Sequence, residues 1–143
     1  MVNIFTGATR KDKVEGASVL IISYDPVLRG ILTRMLSAKG HRIVNRSVGY
    51  HGIRTFKKAK GSFDIVVIDS ALPDMSGLGV AKKIKEVNPM TPTLLLRRMT
   101  KGHEEEGLRN PGVDLAIRKP FFIDRIYELI ENAVPFADTF NTQ

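Results

Sequence analysis

The fold of this chain follows from residues 63–77, which read FDIVVIDSALPDMSG. The first part is a β-branched apolar run, which is typical of a strand buried on both faces of a parallel sheet. The run ends at Asp69, and Pro73 and Gly77 behind it indicate a loop. The stretch therefore predicts a buried strand that delivers one carboxylate to the loop at its carboxyl end.

Strand-like runs alternate with longer amphipathic stretches on both sides of that strand. Asp25 and Pro26 form an N-cap and first-turn pair, whereas the start of the second helix, at Gly49–Gly52, is poorly marked. The fourth helix should be short or frayed, because Met99–Asn110 has two glycines and few apolar anchors. Predicted strands cover 19–22, 41–44, 63–68, 93–96 and 113–117, and a helix follows each. This alternation predicts an α/β fold with a doubly wound, five-stranded parallel sheet and five helices.

The carboxyl ends of the predicted strands mark a candidate site. In a doubly wound sheet, ligands bind in the crevice outside these ends. The residues delivered there are Ser23, Tyr24, Asp69, Arg97 and Lys119. The sequence therefore predicts one site that contains one carboxylate and at least one strong cation.

Length and composition fit one folded domain. The 143 residues are 43% hydrophobic and 26% charged, which is ordinary for a globular protein. We expect a loose N-terminal arm over 1–17, the domain over 18–134 and a loose tail over 135–143. There is no cysteine, so disulfides and thiolate metal sites are excluded. The apolar runs are too short to cross a bilayer, and the N-terminus lacks the order of a signal peptide. These features favour a cytoplasmic protein without membrane contact.

The formal net charge of +7 raises the question of nucleic-acid binding. The basic residues occur as scattered pairs: Lys57-Lys58, Lys82-Lys83 and Arg97-Arg98. Aromatic residues make up only 7% of the chain and do not alternate with these pairs. A solvated basic surface is therefore favoured over a nucleic-acid interface.

Four motifs occur in a familiar order and spacing. They are Val-Leu-Ile-Ile-x-x-Asp-Pro at 19–26, the 63–77 stretch, Pro-Thr-Leu-Leu-Leu at 92–96 and Lys-Pro-Phe at 119–121. Together they resemble the receiver domain of bacterial two-component response regulators over Ser18–Val134. The resemblance implies a flavodoxin-like sheet of order 2-1-3-4-5. It also implies that Asp69 is the phosphoacceptor, that Lys119 pairs with it, and that a sensor histidine kinase or phosphotransfer protein supplies the phosphoryl group.

The chain departs from the family pattern around Asp69. Ser23 and Tyr24 stand where the family has two acidic residues that hold Mg²⁺, so we expect weak or absent Mg²⁺ binding and no other cofactor. Arg97 stands where the family has the Thr or Ser of the switch, and Ala116 replaces its aromatic partner. Arg97 and Lys119 are expected to form an ion-pair pocket that keeps Asp69 ionised.

Two functions remain open. The first is a single-domain receiver in a two-component phosphorelay, with Asp69 at the phosphoacceptor position but without the acidic pair and the switch residues. The second is a pseudo-receiver that acts without phosphorylation as a constitutive docking or dimerisation module. A hydrolase is disfavoured because no second carboxylate or histidine accompanies Asp69 at the strand ends, so we do not expect an enzyme. A chain of this length leaves no room for a DNA-binding output domain, so we expect it to act on a downstream protein.

Overall fold

The parallel sheet has the strand order predicted from the resemblance. The computed structural model describes residues 16–97, 112–118 and 123–133. The described elements are β1 (Ser18–Ile22), α1 (Pro26–Ala38), β2 (Arg42–Arg46), α2 (Gly49–Lys58), β3 (Ile65–Asp69), α3 (Gly77–Val87), β4 (Thr93–Arg97), β5 (Leu115–Arg118) and α4 (Ile123–Ala133). Their sheet order is β2-β1-β3-β4-β5, and every pairing is parallel. The predicted helix over Met99–Asn110 lies outside the described residues, as does most of the predicted arm and tail.

Each face of the sheet carries its own apolar core, because side chains alternate along a strand. The strand residues Val19, Ile21, Ile65, Val67, Leu94 and Leu96 pack with residues of α1 and α4. The strand residues Leu20, Ile22, Val66, Ile68 and Leu95 pack with residues of α2 and α3. The central strand β3 is fully buried along its length, as the apolar run before Asp69 predicted.

The first two helices begin in different ways. Asp25 caps α1 locally, since its side chain accepts the backbone N–H groups of Val27 and Leu28 at 3.0 and 3.3 Å. The N-cap residue of α2, Val48, makes no capping side-chain bond. The first turn of α2 is instead capped by a carboxylate from the loop after β3, which explains why the sequence near Gly49 carries no local start signal.

That distant cap is Asp74. Its two carboxylate oxygens accept the backbone N–H groups of Gly49 and Tyr50, both at 2.8 Å. Desolvation raises the pKa of Asp74. The pKa is lowered more strongly by these two backbone hydrogen bonds, by a third from its own N–H and by the nearby His51. The pKa of Asp74 therefore lies below its usual range. The carboxylate thus joins the loop that follows Asp69 to the first turn of α2.

Among the helices that the structure describes, none has the length and apolar content needed to span a membrane.

Candidate functional site

Asp69 ends β3 as a buried carboxylate with defined partners. It is 3% exposed. Its Oδ2 accepts the hydroxyl of Ser23 at 3.0 Å, and its Oδ1 accepts the backbone N–H of Ala71 at 3.4 Å. The predicted strand end and the predicted carboxylate are thus both present. The unexpected feature is the direct bond from Ser23.

Ser23 is held rigidly where β1 ends. It is fully buried. Its backbone N–H donates to the carbonyl of Arg46 at 3.0 Å, and its own carbonyl accepts Nη1 of Arg29 at 2.6 Å. Its hydroxyl oxygen accepts the N–H of Asp25 at 3.2 Å. With that lone pair used, the hydroxyl proton is directed to Asp69, and a short relay runs from Asp25 through Ser23 to the carboxylate.

The loop between β3 and α3 brings its backbone close to Asp69. Ser70 donates to the carbonyl of Leu96 at 2.9 Å, and Gly77 donates to the carbonyl of Ser70 at 3.0 Å. A Cβ on Gly77 would lie only 2.5 Å from the carbonyl oxygen of Asp69 and 2.7 Å from Cα of Ser70. Both are backbone atoms that cannot swing away. The last residue of the 63–77 motif is therefore glycine because the loop returns onto its own strand.

The residues present do not fit a Mg²⁺ site. Mg²⁺ requires near-octahedral oxygen ligands and usually one or two carboxylates. Oδ2 of Asp69 is engaged by a neutral hydroxyl, Tyr24 is 59% exposed, and Asp25 caps a helix. Within the described ranges, no three His, Cys, Asp or Glu residues come together as metal ligands. Weak or absent Mg²⁺ binding stays a prediction, now with a structural reason.

Arg97 reaches the same edge of the sheet but does not pair with Asp69. It is 6% exposed, and its Nη1 has no hydrogen-bond partner. No ion pair between Arg97 and Asp69 occurs in the part of the chain that the structure describes. The register explains this, because Leu96 lies opposite Asp69 and the pleat starts the Arg97 side chain on the other face. The expected contact between these two groups is therefore not present.

The other predicted site residues are only partly described. Lys119 lies outside the described residues, so its pairing with Asp69 stays a prediction. Ala116 lies opposite Leu95 in the β4–β5 pairing and packs against the α2–α3 core. That Ala116 stands where the family has an aromatic ring is what the resemblance implies, and it stays a prediction. Among the described residues, the Ser23 hydroxyl and the Ala71 backbone N–H donate to the Asp69 carboxylate.

Sequence reasoning missed two functional contacts. Ser23 was placed at the crevice as a lost metal ligand, but its role as a donor to Asp69 was not predicted. A hydroxyl at a strand end next to a buried carboxylate was the available signal. Asp74 lies in the predicted loop, and nothing in its neighbouring sequence indicates that it caps a helix that starts 25 residues earlier.

Comparison with known proteins agrees with this architecture. Residues 19–131 match the response regulator receiver domain family. A probable transcriptional regulatory protein of Mycobacterium tuberculosis, TcrX, is 31% identical over 117 residues, which are 82% of this chain and 49% of the relative. The transcriptional regulatory protein GlrR of Escherichia coli is 26% identical over 82% of this chain and 26% of the relative. The chain thus spans about half or less of the length of these relatives.

Solved structures show the same fold. A receiver domain protein from Clostridium thermocellum superposes with a TM-score of 0.75 at 23% identity, covering 82% of this chain and 94% of that chain. The chemotaxis response regulator CheY4 of Vibrio cholerae superposes with a TM-score of 0.72 at 22% identity, covering 82% and 98%. With the family match over most of its length, this chain belongs to the response regulator receiver domain family and is a receiver domain of two-component signalling.

Proposed function

We propose that this receiver acts in two-component signalling with its Asp69 centre in one state, docking to another protein without a phosphorylation switch. The bond from the Ser23 hydroxyl to Asp69 carries this proposal. It satisfies one carboxylate oxygen with a buried neutral donor, at the place where the family has an acidic metal ligand. The aspartate is then a structural member of a hydrogen-bond relay.

The chemistry of phosphoryl transfer supports this proposal. Donor and acceptor are both anionic, so transfer to a carboxylate needs a cation that neutralises the charge on the transferring oxygens. Ser23 supplies a neutral hydroxyl that already donates to Asp69, and so contributes no negative charge to hold that cation. A switch also needs a hydroxyl that follows the phosphoryl group and a ring that follows the hydroxyl, and Arg97 and Ala116 stand in those places.

One observation favours a second function, that of a phosphoacceptor in a phosphorelay. Asp69 keeps the family position at the end of β3, and the loop backbone still approaches it through Ala71 and Gly77. Under this alternative a histidine kinase or phosphotransfer protein would donate the phosphoryl group. The output of the protein, its downstream protein target and its dimerisation are proposals under either function. Its cytoplasmic location stays a prediction from the sequence.

Intact-mass spectrometry after treatment with a small phosphodonor and Mg²⁺ separates the two functions. We expect no phosphoryl adduct on the wild type. An adduct that disappears in Asp69→Asn would favour the phosphoacceptor. A Ser23→Asp, Tyr24→Asp double variant restores the family's acidic pair, and we expect it to gain saturable Mg²⁺ binding, measured by NMR shifts of backbone amides around Asp69. Saturable Mg²⁺ binding by the wild type, at a few millimolar or tighter, would mean that the residues around Asp69 do form a Mg²⁺ site.

A further inference from the structure

A basic cavity lies beside the edge strand β2, and none of its lining residues belongs to the Asp69 site. Its volume is about 210 Å³. The lining residues are Arg46, His51, Arg54, Thr55 and Lys58. Three of the five are permanent cations, and the remaining two are a histidine and a hydroxyl. The sequence showed these bases only as part of a scattered surface charge.

The fold gathers the lining residues on one side of α2. His51, Arg54, Thr55 and Lys58 follow the i, i+3, i+4, i+7 spacing of a single helix face. The opposite face of α2 is buried in the core through Ile53 and Phe56. Arg46, an exposed residue at the end of β2, lines the cavity from the sheet side. A cluster of donors is thus built on two rigid elements.

Among the described residues, no carboxylate neutralises the cations of the cavity. Over residues 16–97, 112–118 and 123–133, no carboxylate forms an ion pair with Arg46, Arg54 or Lys58. Asp74 lies at the start of α2, but both of its carboxylate oxygens already accept backbone N–H groups of that helix. Like charges at this spacing repel one another. A bound anion would remove that repulsion.

Arg46 and Thr55 are already oriented for an anion. Nε of Arg46 donates to Oγ1 of Thr55 at 2.8 Å, and Nη1 donates to the carbonyl of Asn45 at 2.6 Å. These two bonds orient the exposed guanidinium group, and its Nη2 donates to no other described residue. Because Oγ1 of Thr55 accepts from Arg46, its own proton is available to a ligand. Fixed guanidinium and hydroxyl donors recognise the oxygens of a phosphate.

We propose that this cavity binds the phosphate group of a small phosphorylated or polyphosphorylated ligand. A carboxylate offers two oxygens, whereas a phosphate offers three or four and carries the higher charge that three cations favour. A nucleic-acid strand needs a row of contacts along its backbone. Here the donors line one open concavity, which fits a discrete anionic group.

Calorimetric titration with tripolyphosphate at constant ionic strength tests the proposal. The test variant is Arg54→Gln with Lys58→Gln, which keeps the Arg46–Thr55 contact. The control is Lys82→Gln with Lys83→Gln, which removes the same charge from exposed positions on α3. We expect one tripolyphosphate per chain. We expect the test variant to bind about tenfold more weakly or worse, since two charge-assisted donors are lost, and the control to retain wild-type affinity.

Three results would overturn the proposal. Equal weakening in the test variant and the control would mean that tripolyphosphate responds only to net charge. If the wild type shows an intact fold by circular dichroism but no saturable tripolyphosphate binding, the basic residues form only a solvated surface. Tighter binding of a short DNA duplex than of tripolyphosphate at physiological salt would assign the surface to nucleic acid, whose backbone contacts weaken steeply with salt.

Discussion

Replacing Asp74 by alanine should destabilise the protein although the side chain lies in an exposed loop. The carboxylate makes two bonds of 2.8 Å to the first turn of α2, which has no capping side chain of its own. Removing a capping Asp, Asn, Ser or Thr typically costs about 0.5–2 kcal/mol. A negative charge at a helix N-terminus adds about 0.3–1 kcal/mol. We therefore expect Asp74→Ala to lower the free energy of unfolding by about 1–2 kcal/mol at neutral pH, in the upper part of the capping range.

Urea melts followed by circular dichroism measure this loss. Asp74→Asn retains an acceptor oxygen without the charge and should lose less. Asp25→Ala, which removes the local cap of α1, is the matched comparison. Because the folded state lowers the pKa of Asp74 below 3.8, its contribution is complete above that pH and disappears as the pH falls through the folded pKa. An Asp74→Ala protein as stable as the wild type at pH 7, or a difference that persists unchanged in acid, would refute the capping role.

Two further predictions concern the Asp69 crevice. Double-mutant cycles from urea melts should give a coupling free energy above about 0.5 kcal/mol between Ser23→Ala and Asp69→Asn, because these two side chains are in contact. Arg97→Thr and Asp69→Asn should instead have additive effects on the free energy of unfolding, because Arg97 and Asp69 are not in contact. Strong coupling of Arg97 to Asp69 would restore the ion pair expected from the sequence. Gly77→Ala should cost about 1–3 kcal/mol through overpacking against backbone. Gly30→Ala, in an exposed helical position with nothing near the added methyl, should instead stabilise by about 0.5–1 kcal/mol. Equal effects of the two glycine substitutions, measured by thermal melts, would contradict the close approach at Gly77.

Features that local sequence encodes were predicted well. The alternation of strands and helices, the burial of β3 and the cap at Asp25 each depend on residues close together in the chain, where period and capping chemistry are visible. The strand order was predicted from the family resemblance, because periodicity alone does not order strands. These predictions were confirmed by the sheet and by the capping bonds of Asp25.

Features that depend on register or on distant contacts were not predicted. The direction of Arg97 depends on which residue of β4 lies opposite Asp69, and a shift of one residue reverses the face. The cap of α2 comes from another loop. The basic cavity needs Arg46 from a strand as well as the face of α2, and only the fold brings them together. In each case the relevant distance is set by tertiary structure.

The substitutions around Asp69 act in the same electrostatic direction. A crevice with several carboxylates holds mutually repelling charges, and a divalent cation is bound because it relieves that repulsion. Ser23 and Tyr24 remove negative charge, Arg97 adds positive charge to the same edge of the sheet, and the Ser23 hydroxyl stabilises the remaining carboxylate. On the proposed function, the described residues therefore leave little repulsion for Mg²⁺ to relieve. We therefore expect that restoring only one acidic residue would recover only part of the driving force. We expect a metal-dependent switch to need the acidic pair together with a hydroxyl in place of Arg97 and an aromatic ring in place of Ala116.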